Sequence, residues 1–370
     1  MQQNRLIALD VLRGMTLVLM LIVNNPGDWG HIFAPLEHAD WNGCTLTDLV
    51  FPFFLFMMGV AVPYALGSRK AAGKSDSQLY KKILYRTVMI FLIGMALSGF
   101  PYYHLNTIRI PGVLQRIAVV YGVIAVLYLN CSVRSLLVIL TLILIGYWMI
   151  MTMIPVPGLG YASLEPETNL GAWLDYKLLH GHLWSQSRVW DPEGILSTLP
   201  AIGTGILGLT VGELLRRKTE LSEKVLMLLI AGSILMLTGY FWDMSFPINK
   251  KIWTSTFVLF TGGQAMLTLG GLIYFIDIKK YTGWTRHFIY FGMNSLMVFV
   301  GSGILARLLG LIKISNSQGA SISLKSWIYQ GYLHDWIDPK VSSFLFAITF
   351  MMIFYFLLRW VYRRGWFWRM

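Results

Sequence analysis

"LEHADWNGCTLTDLVFPFFLFMMG", residues 36–59, changes character at Asp48. Before that point lie Glu37, His38, Asp40 and a Trp-Asn-Gly; after it, residues 49–58 carry no charged or hydrogen-bonding side chain. With the apolar residues that follow, the run 48–67 is long enough to cross about 30 Å of hydrocarbon as a helix, which takes roughly 20 residues. A membrane span needs no such polar approach, so the residues before it ask for a separate explanation.

The rest of the 370-residue chain agrees with this start. It is 56% hydrophobic and only 13% charged, about half the charged share of a soluble domain. Mean hydropathy is +0.60. Too few charges are present to coat a soluble particle, so the expected fold is all-α: a polytopic integral membrane helix bundle. The net charge of +12 would suggest nucleic acid in a soluble domain. Here the basic residues sit in short clusters between apolar runs and read as topology signals, with the lipid bilayer rather than nucleic acid as partner.

Ten runs are candidate spans: 6–24, 48–67, 84–100, 112–130, 135–154, 195–215, 225–242, 252–275, 287–310 and 341–362. The ninth is long, long enough either to tilt or to break near Gly301 and Gly303. With the N-terminus placed in the cytoplasm, Arg69, Lys70, Lys74, Lys81, Lys82, Arg134, Arg216, Arg217, Lys218, Lys224, Lys279, Lys280 and Arg286 all fall inside. Most acids, among them Asp28, Glu37, Asp40, Asp48, Glu165, Glu167, Asp175, Asp191, Glu193, Asp243, Asp335 and Asp338, fall outside. This is the positive-inside asymmetry, and an even helix count with both termini cytoplasmic preserves it. Arg5 precedes a run interrupted by Asp10 and Arg13 with no small-residue cleavage site, so the first run reads as a retained helix. Cys44 and Cys131 fall near opposite faces, too far apart for a disulfide. The chain reads as one domain, 1–370, with two long outer loops, 24–47 and 155–194, on the substrate side.

Several motifs invite a chemical reading. Gly203–Gly208 matches G-x-G-x-x-G, but it lies inside an apolar run with no preceding strand, so close helix contact explains it better than a nucleotide. His180 and His182 could chelate, yet no third ligand is set by spacing, and no metal is expected. Asp10 and Arg13, three residues apart, share one helix face near the cytoplasmic end. They are either a local ion pair or an anion site. Arg109, Gln115 and Arg116 stand at the outer mouth of the fourth run, with Pro111 suited to a first turn; Arg116 must snorkel or face a partner. Asp191, Pro192 and Glu193 read as N-cap, first residue and first-turn acid of the sixth helix, and Glu193 is a candidate substrate contact. Asn294 and Ser295 sit mid-helix in the ninth run, for interhelical hydrogen bonds or a ligand. In the opening stretch, His38 has company: Asn24 or Asn25 ends the first helix, Asp48 can cap the second helix or orient the imidazole, and Trp41 and Asn42 can wall a pocket.

The stretch "HADWNGCTLTDLVFPFFLFMMG" resembles the signature of the heparan-α-glucosaminide N-acetyltransferase family of transmembrane acyltransferases. The similarity continues, in order, through "LDVLRGMTLVLMLIVN", "RIPGVLQRIAVVY", "WDPEGILSTLPAIGTGILG", "NKKIWTSTFVLFTGG" and "FGMNSLMVFVG". The resemblance implies transfer of an acetyl group from acetyl-CoA across a membrane to an amino sugar. His38 then matches the active histidine of the family's H-x-x-W-N-G motif, and Asn24 its nearby asparagine. Asp10, Arg13, Gln115, Arg116, Asn294 and Ser295 become candidate contacts for CoA, and Trp41, Asn42 and Glu193 for the sugar. The absence of the lysosomal enzyme's extra N-terminal portion suggests a bacterial inner-membrane relative with His38 periplasmic, and the family suggests a homodimer.

An attacking amine must be neutral. An imidazole, which ordinarily titrates near pH 6.5, can take its proton, or can carry the acetyl group transiently. Asp48 or Glu37 would orient the ring, and Asn24 would donate to the oxyanion. Two other classes of function fit the same composition: a secondary transporter for a sugar or cell-wall fragment, and an O-acetyltransferase of a cell-wall glycan.

Overall fold

The computed structural model describes residues 6–71, 76–315, 319–332 and 338–368. Arg5, Lys74, Asp335 and Arg369 lie outside the described residues, as do the side chains of Arg69 and Lys70. The chain runs α1 (Ile7–Asn24), a 3₁₀ turn at Thr47–Leu49, α2 (Val50–Ala71), α3 (Asp76–Gly99), α4 (Val113–Asn130), α5 (Val133–Met153), α6 (Leu170–Leu179), α7 (Thr198–Arg216), α8 (Leu221–Trp242) and α9 (Ser255–Leu272), which ends in a wider π turn (Ile273–Ile278). It then forms α10 (Thr285–Gly292), α11 (Ser295–Leu311), a hairpin of β1 (Lys313–Ser315) and β2 (Ser321–Ser323), α12 (Leu324–Tyr332) and α13 (Pro339–Arg363). In the hairpin Ile314 stands opposite Ile322.

Among the described residues, nine helices are long and apolar enough to cross a membrane, or ten if α10 and α11 count as one bent span. Polar caps mark where several helices begin. Ser132 accepts from the amide of Ser135 at the start of α5, Thr254 from Phe257 at α9, and Asp338 from Lys340 and Val341 at α13, with Pro339 in the first turn.

Four details differ from the sequence reading. First, α3 starts at Asp76 rather than near residue 84. Leu79 and Ile83 are buried there, so the helix gains apolar contact even through its Lys81-Lys82 turn. Second, the ninth span breaks at Met293–Asn294, not near Gly301 and Gly303, with a bend of 76°. Asn294 is therefore not mid-helix but the residue before α11. Its buried amide accepts from the Trp368 backbone N–H at 2.9 Å and donates to the Trp366 carbonyl at 3.5 Å. A side chain that satisfies tail backbone groups supports a break better than a glycine does. Third, Asp191 is not the N-cap of the sixth span. Ser197 holds that position and α7 begins at Thr198, because Asp191 is drawn into an ion pair with Arg109. Fourth, Gly112 is the N-cap of α4, so Pro111 lies one residue outside the helix.

The chain divides into two compact units. The first holds residues 1–38, 45–50 and 275–370; the second holds 39–44 and 51–274. In the first unit, α1 lies against α10, α11 and α13. The approach of α1 to α10 depends on glycine: a Cβ on Gly14 would fall 2.0 Å from the Phe288 carbonyl oxygen. In the second unit, α8 pairs with α9 and α3 with α4, while α7 contacts α4, α5 and α9.

The G-x-G-x-x-G of α7 is a helix-contact motif, as its apolar setting indicates. A Cβ on Gly208 would lie 2.0 Å from the Phe56 carbonyl oxygen of α2 and 3.1 Å from Gly59 Cα. Backbones in lipid approach closely where side chains are absent. Gly208→Ala should force the two helices apart and destabilise the protein by about 1–3 kcal/mol, the usual range for overfilling a close-packed contact. Thermal unfolding in detergent measures this. Gly271→Ala, with nothing within 4 Å of the added methyl, is the control and should leave the midpoint unchanged or slightly raised.

Candidate active site

In the first unit, α1 ends at Asn24, and the 3₁₀ turn Thr47–Leu49 packs against α1. The two adjacent asparagines have different duties. Asn25 is buried and its amide donates to the Leu21 carbonyl at 2.9 Å, closing the end of the helix. Asn24 is exposed.

His38 and Asp48 form a close pair in this unit. Imidazole Nδ1 lies 2.6 Å from Asp48 Oδ1, with the histidine side chain 47% exposed and the aspartate 2%. Asp48 is held from its other oxygen by the Thr45 amide at 3.1 Å. The Thr45 hydroxyl stands 3.1 Å from the same oxygen and 2.6 Å from the Glu37 carbonyl, and its single proton serves the nearer acceptor, Glu37. An ionised carboxylate can only accept. It therefore makes Nδ1 the proton-bearing nitrogen and leaves Nε2 as the basic one. Of the two acids weighed as partners of His38, Asp48 holds the ring, while Glu37 contributes its backbone.

At the other end of α1, Arg13 Nη1 lies 3.3 Å from Asp10 Oδ1 and 3.4 Å from the Gly292 carbonyl. Asp277, not among the sequence candidates, caps α1 by accepting from the Ile7 and Ala8 amides at 3.1 Å each. Its signal was visible: an acid inside an apolar run is functional or structural by default. Ser295 opens α11 beside the buried Asn294.

The second unit holds the remaining candidates. Asn42 Oδ1 accepts from Asn249 Nδ2 at 3.1 Å, and the Gly43 amide donates to the Ile248 carbonyl at 2.7 Å. Gly43 has a φ of +108°, a conformation glycine adopts without steric cost. The Trp-Asn-Gly motif is thus pinned to the turn that precedes α9, and the pinning residue, Asn249, escaped the sequence reading. Trp41 donates to the Leu164 carbonyl at 3.0 Å and meets Trp190 edge-on at 5.2 Å. Trp184 meets Trp190 at 5.6 Å. Lys251 sits 5.9 Å from both the Trp41 and Trp190 rings and donates to the Asp40 carbonyl.

The segment 190–197 is laced from several sides. Arg109 holds Asp191 with two bonds, Nε at 2.8 Å and Nη2 at 2.5 Å, and also bonds Glu193. Burial pulls the Arg109 guanidinium down, but its bonds to Asp191 and the charges of Glu193 and Asp191 outweigh this and raise it. Glu193, expected to contact the sugar, is nearly buried in this pair, and that pairing fixes its carboxylate on Arg109. Gln115, expected at CoA, turns its amide to Ser98 at 3.2 Å and Met95 at 3.6 Å between α3 and α4. Arg116 does not snorkel: it is 2% exposed. His182 Nδ1 is 2.8 Å from the Ile108 carbonyl, which ties the segment after α6 to the one before α4.

Asp175, also missed, accepts from the Ile195 amide at 2.8 Å. A Cβ on Gly194 would fall 2.0 Å from its Oδ2. Burial first, then the neighbouring charge of Asp191, raises its pKa to about 6, against hydrogen bonds that lower it. The folded state therefore holds this proton more tightly than the unfolded chain. Its stabilising contribution is full below about pH 4 and is lost as pH rises through about 6, a change of roughly 3 kcal/mol at 1.36 kcal/mol per unit. Asp175→Asn should flatten the fall in unfolding temperature between pH 4 and 7. A slope equal to that of the wild type would mean that Asp175 does not titrate there.

Comparison with known proteins identifies the family. A family model described as "Heparan-alpha-glucosaminide N-acetyltransferase, catalytic" matches residues 5–239. The mouse protein "Heparan-alpha-glucosaminide N-acetyltransferase" is 33% identical over 360 residues, covering 82% of this chain and 54% of its own length. The human protein of the same name is 33% identical over 353 residues, covering 80% and 52%. The chain spans about half the length of the curated relatives it matches. The matched residues include both α1 and the His38–Asp48 pair, and with them the chain belongs to the heparan-α-glucosaminide N-acetyltransferase catalytic family.

Proposed function

We propose that this chain is a membrane acetyltransferase that moves an acetyl group from acetyl-CoA to the amine of an amino sugar on the extracytoplasmic side. Family membership supports the reaction class, and the His38–Asp48 pair carries the assignment of the site. A half-exposed imidazole held through Nδ1 by a buried carboxylate is an oriented base. The amine nitrogen attacks the thioester carbonyl carbon, a C–N bond forms, and the C–S bond breaks. His38 takes the amine's proton, and the departing thiolate is protonated in turn. Asn24, exposed at the end of α1, donates to the oxyanion of the tetrahedral intermediate, an effect worth about 2.7–4 kcal/mol in other acyl transfers. In the alternative order, His38 first takes the acetyl group itself and then passes it to the amine.

Distribution of the basic residues supports entry of the donor from the cytoplasmic side. Asp10 and Arg13, at the opposite end of α1 from Asn24, are suited to its anionic group. The test is transfer in liposomes holding oriented protein, with labelled acetyl-CoA on one face and glucosamine on the other. N-acetylglucosamine should accumulate on the glucosamine side. Transfer only when both substrates share a face would overturn transmembrane delivery. Glucosamine uptake that ignores acetyl-CoA would instead mark a transporter. Labelled acetyl trapped on the protein without acceptor selects the acetyl-histidine order.

A further inference from the structure

Arg116 is a buried cation with no carboxylate in direct contact among the described residues. It lies in the second turn of α4. Its Nη2 donates to the Gly194 carbonyl at 3.1 Å and to the Ser197 hydroxyl at 2.5 Å. The guanidinium stacks on the Trp253 indole at 5.2 Å, and that indole is itself fixed by a bond to Thr204 at 3.1 Å. Nε and Nη1 are buried with no protein acceptor. Among the described residues no carboxylate lies within ion-pair distance of Arg116. A desolvated guanidinium held in one orientation with N–H groups to spare is costly. Stacking on an indole offsets only part of that cost.

The placement of the two unpartnered nitrogens limits the ligand. Nη2 belongs to both edges of a guanidinium that can grip a carboxylate or phosphate in a fork. Here Nη2 is already engaged, so the open groups suit single oxygen atoms. Charge points the same way. The segment that touches Arg116 carries Asp191 and Glu193, balanced by Arg109, while Asp175 is bonded at Ile195 and is largely ionised at neutral pH. Two cations thus face three acids. This neighbourhood disfavours a phosphate dianion and accepts an uncharged carbonyl.

We propose that Arg116 Nε and Nη1 form a carbonyl-binding subsite for the uncharged amide-and-thioester arm of a pantetheine-type acyl donor. The identity of the donor rests on the acetyltransferase reading. Arg116→Met and Arg116→Gln test it by calorimetry on the whole protein in nanodiscs, with three probes: acetyl-CoA, acetyl-pantetheine and adenosine 3′,5′-bisphosphate. The Gly194 carbonyl keeps the Ser197 and Thr198 hydroxyls as donors, so unfolding temperatures should hold or rise. Affinity for acetyl-CoA and acetyl-pantetheine should fall equally, about 10- to 100-fold for a lost charged hydrogen bond, with the bisphosphate unaffected. A loss seen only with phosphate-bearing probes overturns the proposal in favour of a phosphate site. Variants that bind all probes as the wild type does overturn it alone; a wild type that binds none of them overturns the acetyltransferase reading as well. Should both variants fail to fold, infrared spectra of carbon-13-carbonyl donor on the wild type decide. A carbonyl stretch lower than in water supports the contact, and an unshifted one refutes it.

Discussion

His38→Ala is expected to lower acetyl transfer by about 100- to 10,000-fold, the range by which a positioned general base accelerates proton transfer. Its donor affinity should be unchanged. The imidazole is about half exposed, so its removal opens no cavity in the core, and Asp48 keeps its bond from the Thr45 amide. The folded protein should persist, at a cost of about 1–3 kcal/mol for the hydrogen bond that buried Asp48 loses, which a monodisperse profile in detergent and a modestly lowered unfolding temperature would verify. The measurement is single-turnover transfer at saturating acetyl-CoA. If His38 is an acetyl carrier, the variant must also lose all acetyl label on the protein. Transfer at the wild-type rate would remove His38 from the mechanism.

Asp48→Asn is expected to be nearly as severe, about 100- to 10,000-fold in turnover with the fold retained, as when the orienting acid of other histidine bases is made an amide. The cause is the proton's position on the ring. An asparagine amide group turned toward Nδ1 donates rather than accepts, so the imidazole proton moves to Nε2 and the basic nitrogen is lost. If the amide flips so that its oxygen faces His38, it must turn its NH₂ toward the Thr45 amide, where two donors oppose one another. In that flipped orientation one donor of the Thr45–Asp48–His38 lattice is unsatisfied, at about 1–3 kcal/mol for a buried group, so the orientation that moves the imidazole proton is favoured. Nitrogen-15 NMR of labelled histidine reads the tautomer directly. An unchanged tautomer together with normal turnover would reduce Asp48 to a cap of the α2 entry.

The membrane class and the candidate base were both legible before any coordinates, but for different reasons. Transfer of a segment to hydrocarbon is close to a sum over its own residues, so a window of about 20 residues carries nearly all the information needed. Eight of the ten expected spans therefore coincide with helices to within a few residues; the exceptions are the early start of α3 and the break in the ninth. That break depends on Asn294 finding tail backbone more than 70 residues away, which no local window contains. His38 was marked by its polar neighbours and its motif, and Asp48 was one of two acids near enough in sequence to serve it.

What the amino-acid sequence determined by itself was the class of solvent, the number of apolar runs, the basic bias of alternate loops, and the family motif around His38. Only the tertiary structure decided which polar groups meet. It assigned Asn25 to the helix end and left Asn24 exposed. It tied Glu193 to Arg109 across 84 residues of chain, and it buried Arg116 against Trp253 with two nitrogens open. Burial of apolar surface is non-directional and forgives small errors of placement, so composition predicts it. A hydrogen bond or ion pair exists only when two specific atoms come within about 3 Å at a workable angle. That condition is set by how helices cross and loops return, not by the residues alone.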